Sequence, residues 1–239
     1  MAQYHFSISH RLKHSKMGRD NHPRTRQTNK LARKSAQKVP YDRILIVTEG
    51  RKTEPNYFNE IRSSLRLSST NIYVQYSQIG TCPLQVVKFA ESLLISGDIH
   101  KQLAPLKFDR IYAVFDRDNH LNYQAALSYA ASINNKHFND EKRKVIFKAI
   151  PSVPNFELWL LIHYVDVLSP LTRHETLALL RKHIGNYNKG QNNIYAITNH
   201  LLPTAQSRAN DLDKNGANGG VEPYTDVGKL VELLKALRI

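Results

Sequence analysis

The sequence is poor in cysteine and has no long apolar run. Cys82 is the single cysteine among 239 residues, which excludes an internal disulfide, a zinc ribbon and a cysteine-ligated iron–sulfur cluster. No apolar stretch approaches the roughly 20 residues of a membrane-spanning helix, and the start of the chain lacks the apolar segment of a signal peptide. We therefore expect a cytoplasmic protein without a membrane segment, in which Cys82 is a small packing residue.

Acidic residues are scarce near the N-terminus. Residues 1–40 carry ten Lys or Arg against one acid, Asp20, within a chain of net charge +14. Without periodic apolar residues this segment is predicted to be a flexible tail. Basic tails bind nucleic-acid phosphates without reading sequence, although a membrane-binding or solubilising tail would have the same composition. The residues expected to contact nucleic acid here are Arg24, Arg26, Arg33 and Lys34.

The remainder, residues 41–239, alternates between strand and helix patterns. Strands are predicted at "RILIVTEG", "NIYVQYSQI", "RIYAVFD" and "KVIFKAI". Helices are predicted at "TEPNYFNEIRSSLRL", "CPLQVVKFAESLLIS", "HLNYQAALSYAASINN" and "NFELWLLIHYVDVL". This order predicts a single α/β domain with a mostly parallel, doubly wound sheet flanked by helices. From about Ser169 only helical patterns follow, which predicts a helical C-terminal extension.

Three carboxylates follow or end the predicted strands. Glu49 ends the first strand, and Asp116 and Asp118 end the third. Because parallel strands place their carboxyl ends at one edge of the sheet, these side chains should converge there. Strand alternation would place both aspartates on one face, with Arg117 on the other. Repelling carboxylates favour a hard divalent ion such as Mg²⁺, whereas a solvated turn and a lysine-paired glutamate are the plainer alternatives.

Further charged residues surround these acids in the sequence. Arg51 and Lys52 follow Glu49 and would bind substrate phosphate or form a solvated loop. Glu54 would either be a functional carboxylate of the site or only stabilise the following helix, because a negative charge in the first turn interacts favourably with the helix dipole. Glu157 interrupts an apolar helix pattern, so it needs a partner there, either a metal ion or a structural hydrogen bond.

The pairing of E-G with D-x-D in a βαβαβ frame resembles the Toprim fold of primases, topoisomerases and OLD-type nucleases. The longer strings "IVTEGRKTEPNYF", "FDRDNH", "PSVPNFELWLLIHY" and "EPYTDVGKLVELL" resemble the RloB-like family of abortive-infection and phage-defence proteins. The resemblance covers most of residues 40–239. It implies a Toprim-like, metal-dependent nuclease that acts on RNA, including tRNA, or on DNA, in some cases beside an ATPase partner.

The resemblance also implies roles for individual residues. Asp116 and Asp118 would be the primary ligands of Mg²⁺ or Mn²⁺, and Glu49 a ligand or general base. The position of Glu157 within an apolar helix, in contrast, is what makes it a candidate ligand of a second ion. Lys189 would stabilise charge on the phosphate during cleavage, or would be a plain loop lysine.

Two other functions remain open from the sequence. One is a noncatalytic nucleic-acid-binding or regulatory module of a defence complex. The other is a nucleotidyl-transferring or topoisomerase-type enzyme, which ranks last. One cysteine cannot build the zinc module of a primase, and the chain has little room for a tyrosine-bearing topoisomerase domain.

Overall fold

The structure is a computed structural model that describes residues 42–118, 120–215 and 222–237. The predicted basic tail over residues 1–40 lies outside these ranges, together with its four nucleic-acid-binding candidates, Arg24, Arg26, Arg33 and Lys34. Their contribution to binding therefore stays a prediction.

The described chain contains one five-stranded sheet with the order β2-β1-β3-β4-β5. β1 is parallel to β2 and β3, β3 is parallel to β4, and β5 is antiparallel to β4. The strands are β1 Ile44–Thr48, β2 Ile72–Tyr76, β3 Arg110–Asp116, β4 Ile146–Val153 and β5 Tyr224–Thr225. The predicted α/β fold with a mostly parallel sheet is confirmed, and it is consistent with a Toprim-like architecture.

Helices cover both faces of this sheet. The α-helices are α1 Thr53–Ser64, α2 Pro83–Ser96, α3 Tyr123–Ile133, α4 Glu157–Leu161, α5 Arg173–His183, α6 Ile194–Thr198, α7 Leu202–Asn215 and α8 Val227–Ala236. None of the helices in the described ranges is long and apolar enough to span a membrane.

The sheet is apolar on both faces because the residues of its central strands alternate between two cores. On one face Ile46 and Val114 pack with α1 and with the helices from α4 onward. On the other face Val47 and Phe115 pack with α2 and α3. Burial on both faces accounts for the continuous apolar runs in the sequence, which are typical of parallel strands.

Two predictions about the C-terminal half were wrong. The sequence pattern predicted no strand after Ser169, yet β5 adds two residues to the edge of β4. Such a short strand depends on pairing with a distant segment and leaves no periodic signal. The helix predicted over "NFELWLLIHYVDVL" is also short, because α4 ends at Leu161 and turns follow it.

The strand order reverses between β1 and β3, since β2 lies on one side of β1 and β3 on the other. In an open α/β sheet the loops after two such strands diverge to opposite faces and leave a crevice between them. Glu49 follows β1, and Asp116 is the last residue of β3. The fold therefore places the predicted carboxylates at this crevice.

Candidate metal centre

A cleft of about 1110 Å³ opens at the carboxyl ends of β1 and β3. The loop after β1 and the start of α1 form one wall, and the loop after β3 forms another. The segment from Pro170 to Glu175 and the loop carrying Lys189 close the remaining sides. All four predicted acids, Glu49, Asp116, Asp118 and Glu157, line this cleft.

The outer group of donors consists of Glu49, Asp118 and His120. One ligand atom from each of these side chains lies within 4.8 Å of the other two. The Glu49 and Asp118 side chains are largely buried, with exposed fractions of 13% and 17%. Arg173, at the start of α5, donates from Nη1 to Asp118 Oδ2 at 2.8 Å.

Glu49 bridges the two strand ends. Its Oε2 accepts a hydrogen bond from the backbone N–H of Asp116 at 3.0 Å, and its Oε1 lies 3.7 Å from His120 Nε2. Burial raises the pKa of Glu49 from 4.5 to about 7, against the lowering effect of the Asp116 N–H, and repulsion from Glu54 and Asp118 raises it further. Glu49 therefore titrates near neutral pH, where a carboxyl group can both accept and release a proton.

An inner group of acids lies beneath this layer. Asp116, Glu54 and Glu157 are all buried. Burial, followed by repulsion from Glu54, Glu49 and Glu157, raises the pKa of Asp116 well above 3.8. The pKa of Glu54 is raised mainly by burial as well, although the backbone N–H groups of Glu54 and Gly50 offset part of the effect. The site therefore concentrates more negative charge than the fold alone stabilises.

Gly50 lets the inner acid approach the strand end. A methyl group at this position would lie 2.1 Å from Glu54 Oε2, well inside van der Waals contact. Only a residue without Cβ leaves room for the Glu54 carboxylate here. Gly50 of the E-G pair thus makes room for the Glu54 carboxylate, in addition to allowing the turn after β1.

Lys189 reaches the inner group from a loop that is fixed to the start of α1. Its Nζ lies 3.1 Å from Glu157 Oε1. The next residue, Gly190, has φ of +80°, and its N–H donates to Thr53 Oγ1 at 2.9 Å. Thr53 is the first residue of α1, and its side chain binds this loop. The contact between Gly190 and Thr53 therefore helps to position Lys189 beside Glu157, and the spacing of apolar residues along the sequence does not predict it.

The donor set fits a hard divalent cation. Glu157 is 1% exposed, and its Oε2 is buried without a hydrogen-bond partner among the described residues. Burying an unpaired carboxylate oxygen is costly unless a cation satisfies it. Ligand atoms on opposite sides of one Mg²⁺ lie about 4.2 Å apart, so the outer group needs only a small adjustment to share an ion. The composition of the site supports a metal centre without identifying the metal.

The two aspartates of D-x-D reach the cleft by a route that differs from the prediction. β3 ends at Asp116, and Asp118 lies in a turn with φ of +36°, so strand alternation does not extend to it. Arg117 also lines the cleft, where it forms an ion pair with Glu222, and it does not point away as alternation implied. Asp118 belongs to the outer group, whereas Asp116 belongs to the inner one.

Cations surround the acidic floor. Arg51 and Lys52 line the cleft, are exposed, and form no ion pair with an acid in the described ranges. The Arg51 guanidinium lies over the ring of Tyr76, 5.6 Å from its centroid, in a cation–π arrangement that limits its motion. Both residues were predicted either to bind substrate phosphate or to form a solvated loop, and their role stays a prediction.

Three residues of the cleft were not selected from the sequence. Glu54 was left undecided because a negative charge in a first helical turn has an adequate explanation of its own. His120 lies within "FDRDNH" and could have been included as an imidazole two residues after Asp118. Arg173 gave no signal, because it lies 55 residues from the aspartate that it contacts.

One comparison with known proteins is positive. The family model described as RloB-like protein matches residues 44–234 of the chain. This range includes every residue of the outer and inner groups. Neither the curated proteins nor the solved structures include a match.

Proposed function

Because this chain belongs to the RloB-like protein family, we propose that its cleft is the active site of a nuclease that hydrolyses phosphodiester bonds with Mg²⁺ or Mn²⁺. The substrates are RNA, including tRNA, or DNA. The observation that carries this proposal is the convergence of five acids, Glu49, Glu54, Asp116, Asp118 and Glu157, at the switch point of the sheet. Carboxylates repel the negatively charged phosphodiester, so this cleft can bind one only when a divalent ion lies between the carboxylates and the phosphate.

When bound, the ion supplies positive charge for the nonbridging phosphate oxygens. The chain supplies the proton acceptor. Glu49 is fixed through Oε2 by the backbone N–H of Asp116, which leaves Oε1 facing the cleft on the side of His120. In this proposal the Glu49 carboxylate, which lines the cleft, takes the proton from the attacking water.

Cationic side chains hold the substrate in this proposal. Arg51 and Lys52 are free of acidic partners in the described part of the chain, so they are available to phosphate groups next to the cleaved one. Lys189 lies on the cleft wall with its Nζ beside Glu157, from where it can donate to a phosphate oxygen as negative charge builds up. Arg24, Arg26, Arg33 and Lys34 would extend the contact in a salt-dependent manner.

A cleavage assay tests this function. Purified protein is incubated with total tRNA, single-stranded RNA and DNA, with Mg²⁺, with Mn²⁺ and with a chelator. We expect cleavage of at least one substrate that requires the ion. Asp116→Ala and Glu49→Gln should abolish cleavage, whereas Glu232→Gln, which changes an exposed glutamate on α8, should cut normally. Normal cutting by both site variants would rule out this mechanism.

A noncatalytic role is the second candidate, and one observation favours it. Two of the acids already have basic partners in the protein, because Lys189 pairs with Glu157 and Arg173 pairs with Asp118. A binding module could keep this charge balance without turnover. Strong salt-dependent binding of nucleic acid, with no cleavage under any metal, would establish that role instead.

We also propose a role in defence against phage, beside an ATPase partner, on the basis of family membership. Cells that express the chain with its genomic neighbours should survive infection better than cells that carry Asp116→Ala. Equal survival would contradict the defence role. An ATPase that copurifies with the chain from those cells would identify the partner, and the absence of one would contradict that part of the proposal.

A further inference from the structure

Arg173 occupies a position that neither the family match nor the sequence pattern explains. It is the first residue of α5, its side chain is 50% exposed, and its Nη1 lies 2.8 Å from Asp118 Oδ2. Asp118 is at the same time one of the three donors of the outer group. One carboxylate therefore faces both a guanidinium and the place where a divalent ion would bind.

These two cations cannot bind Asp118 equally well. A divalent ion attracts the carboxylate more strongly than a half-exposed guanidinium does, since exposed ion pairs contribute little, and the two positive groups repel each other at short range. Among the described residues Arg173 forms an ion pair with no other acid. Once the ion has taken Asp118, the guanidinium loses the acid with which it pairs.

The surroundings leave Arg173 free to turn toward the cleft. The start of α5 is stabilised independently, because Thr172 and Glu175 form a reciprocal capping box that does not involve the Arg173 side chain. Arg173 and its neighbour His174 both line the cleft. A released guanidinium would thus face the space above the carboxylates, where its planar fork matches a phosphate group.

We propose that Arg173 is a substrate-binding residue that exchanges partners: it holds Asp118 in the metal-free protein and binds the substrate phosphate once a divalent ion occupies the outer group. This inference rests on the proposed function and adds a specific phosphate ligand to it. It also makes the order of binding matter, because the ion prepares the site for the nucleic acid.

A positioning role is the competing explanation for the same contact. Asp118 has two carboxylate oxygens, so Arg173 could hold Oδ2 while the ion takes Oδ1. In that case the arginine would orient the ligand, and its loss would weaken binding of the ion. Partner exchange requires the opposite effect, because removal of Arg173 removes a competitor of the ion.

The first experiment measures binding of Mn²⁺ alone to the full chain by calorimetry. Arg173→Gln should bind Mn²⁺ a few-fold more tightly than the wild type, the size expected for release of one half-exposed ion pair. Lys182→Gln, which removes an exposed cation from the same helix, should bind it as the wild type does. Unchanged or weaker binding by Arg173→Gln would overturn the partner exchange.

The second experiment measures binding of fluorescein-labelled 20-nucleotide RNA and DNA, with and without Mn²⁺, at low temperature and with cleavage blocked by phosphorothioate linkages. Mn²⁺ should increase the affinity of the wild type and of Lys182→Gln for one of these probes. Arg173→Gln should lose most of that increase, and Arg173→Lys should keep part of it. A full increase with Arg173→Gln would show that the residue does not bind the phosphate.

The two experiments separate this inference from the function on which it rests. If the wild type shows no Mn²⁺-dependent binding of either probe, the proposed function fails and the phosphate contact falls with it. The calorimetric comparison still decides whether Arg173 competes with the ion. If Arg173→Gln does not fold, as judged by circular dichroism, Arg173→Met, which also removes the charge, replaces it in both measurements, with tighter Mn²⁺ binding and loss of most of the Mn²⁺-dependent increase again expected.

Discussion

The buried carboxylates should make the metal-free protein less stable than a variant that lacks one of them, and Glu49 offers the clearest test. Its pKa is raised from 4.5 to about 7, mainly by burial. A carboxyl group whose pKa is higher in the folded state binds protons more tightly there, so folding loses stability as the pH rises. The loss begins near pH 4.5 and is complete above about pH 7.

The size of the effect follows from the size of this shift. Ionisation of Glu49 should lower the free energy of unfolding by about 3 kcal/mol above neutral pH. Glu49→Gln removes this loss and keeps an oxygen that can accept the hydrogen bond from the Asp116 N–H. Because the new amide must also be desolvated, we expect a net gain of about 1–3 kcal/mol at pH 8. At about 2–4 °C per kcal/mol, the melting temperature should rise by several degrees.

The assay is thermal or urea unfolding of metal-free protein between pH 5 and pH 8, with Glu232→Gln as the matched control. The gain for Glu49→Gln should shrink toward zero as the pH falls to about 5. Saturating Mn²⁺ should reverse the order, because a ligand at 100 times its Kd stabilises the wild type by about 2.7 kcal/mol. Destabilisation of the metal-free protein by Glu49→Gln, or a gain that does not depend on pH, would refute the account of the site as mutually repelling buried carboxylates.

Two further predictions concern the surroundings of the site, and a third concerns a buried histidine away from the cleft. Gly50→Ala should displace the inner carboxylate that lies 2.1 Å from the new methyl group, and so weaken Mn²⁺ binding in calorimetry. Gly185→Ala, which meets no atom within 4 Å, should not. Lys189→Met should lower the urea midpoint of the metal-free protein by leaving the buried Glu157 carboxylate unpaired, a loss of about 1–3 kcal/mol, and adding Glu157→Gln should restore most of it. If Lys189→Met alone has no effect, the 3.1 Å ion pair is not a stabilising contact. Burial lowers the pKa of His163 from 6.5 to about 4, so the folded protein loses stability as the pH falls through that range. His163→Phe should therefore become more stable relative to the wild type as the pH falls from 6.5 to 4. A stability difference between the two proteins that stays the same at every pH would contradict this.

Much of the fold could be predicted because its signals are local. The first four strands are rich in apolar residues, acids stand at the ends of β1 and β3, and the helices between the strands carry apolar residues at helical spacing. The errors occur where structure depends on distant partners. β5 forms only because β4 offers an edge, and the long apolar segment after β4 is helical only from Glu157 to Leu161, since burial by other elements satisfies an apolar sequence in any conformation.

The residues of the candidate site also divide into those that local sequence predicts and those that depend on distant contacts. Glu49, Asp116 and Asp118 could be selected from the sequence, because strand ends in a parallel sheet converge whatever the loops do. The separation of the two aspartates into outer and inner groups could not be selected, since it depends on the turn at Asp118. The ion pair of Glu157 with Lys189 joins residues from separate elements, and no spacing rule connects them.

The sequence by itself determined the α/β class, the family of the chain, and the edge of the sheet at which the acids lie. These features follow from periodicity and short motifs, which are properties of residues close together in sequence. Only the tertiary structure decided which basic groups face those acids. Arg173 reaches Asp118 across 55 positions of sequence, and Gly190 fixes the Lys189 loop to the start of α1 from more than 130 positions away. Charges interact through space at distances set by packing, so the electrostatic balance of this cleft is a property of the folded chain.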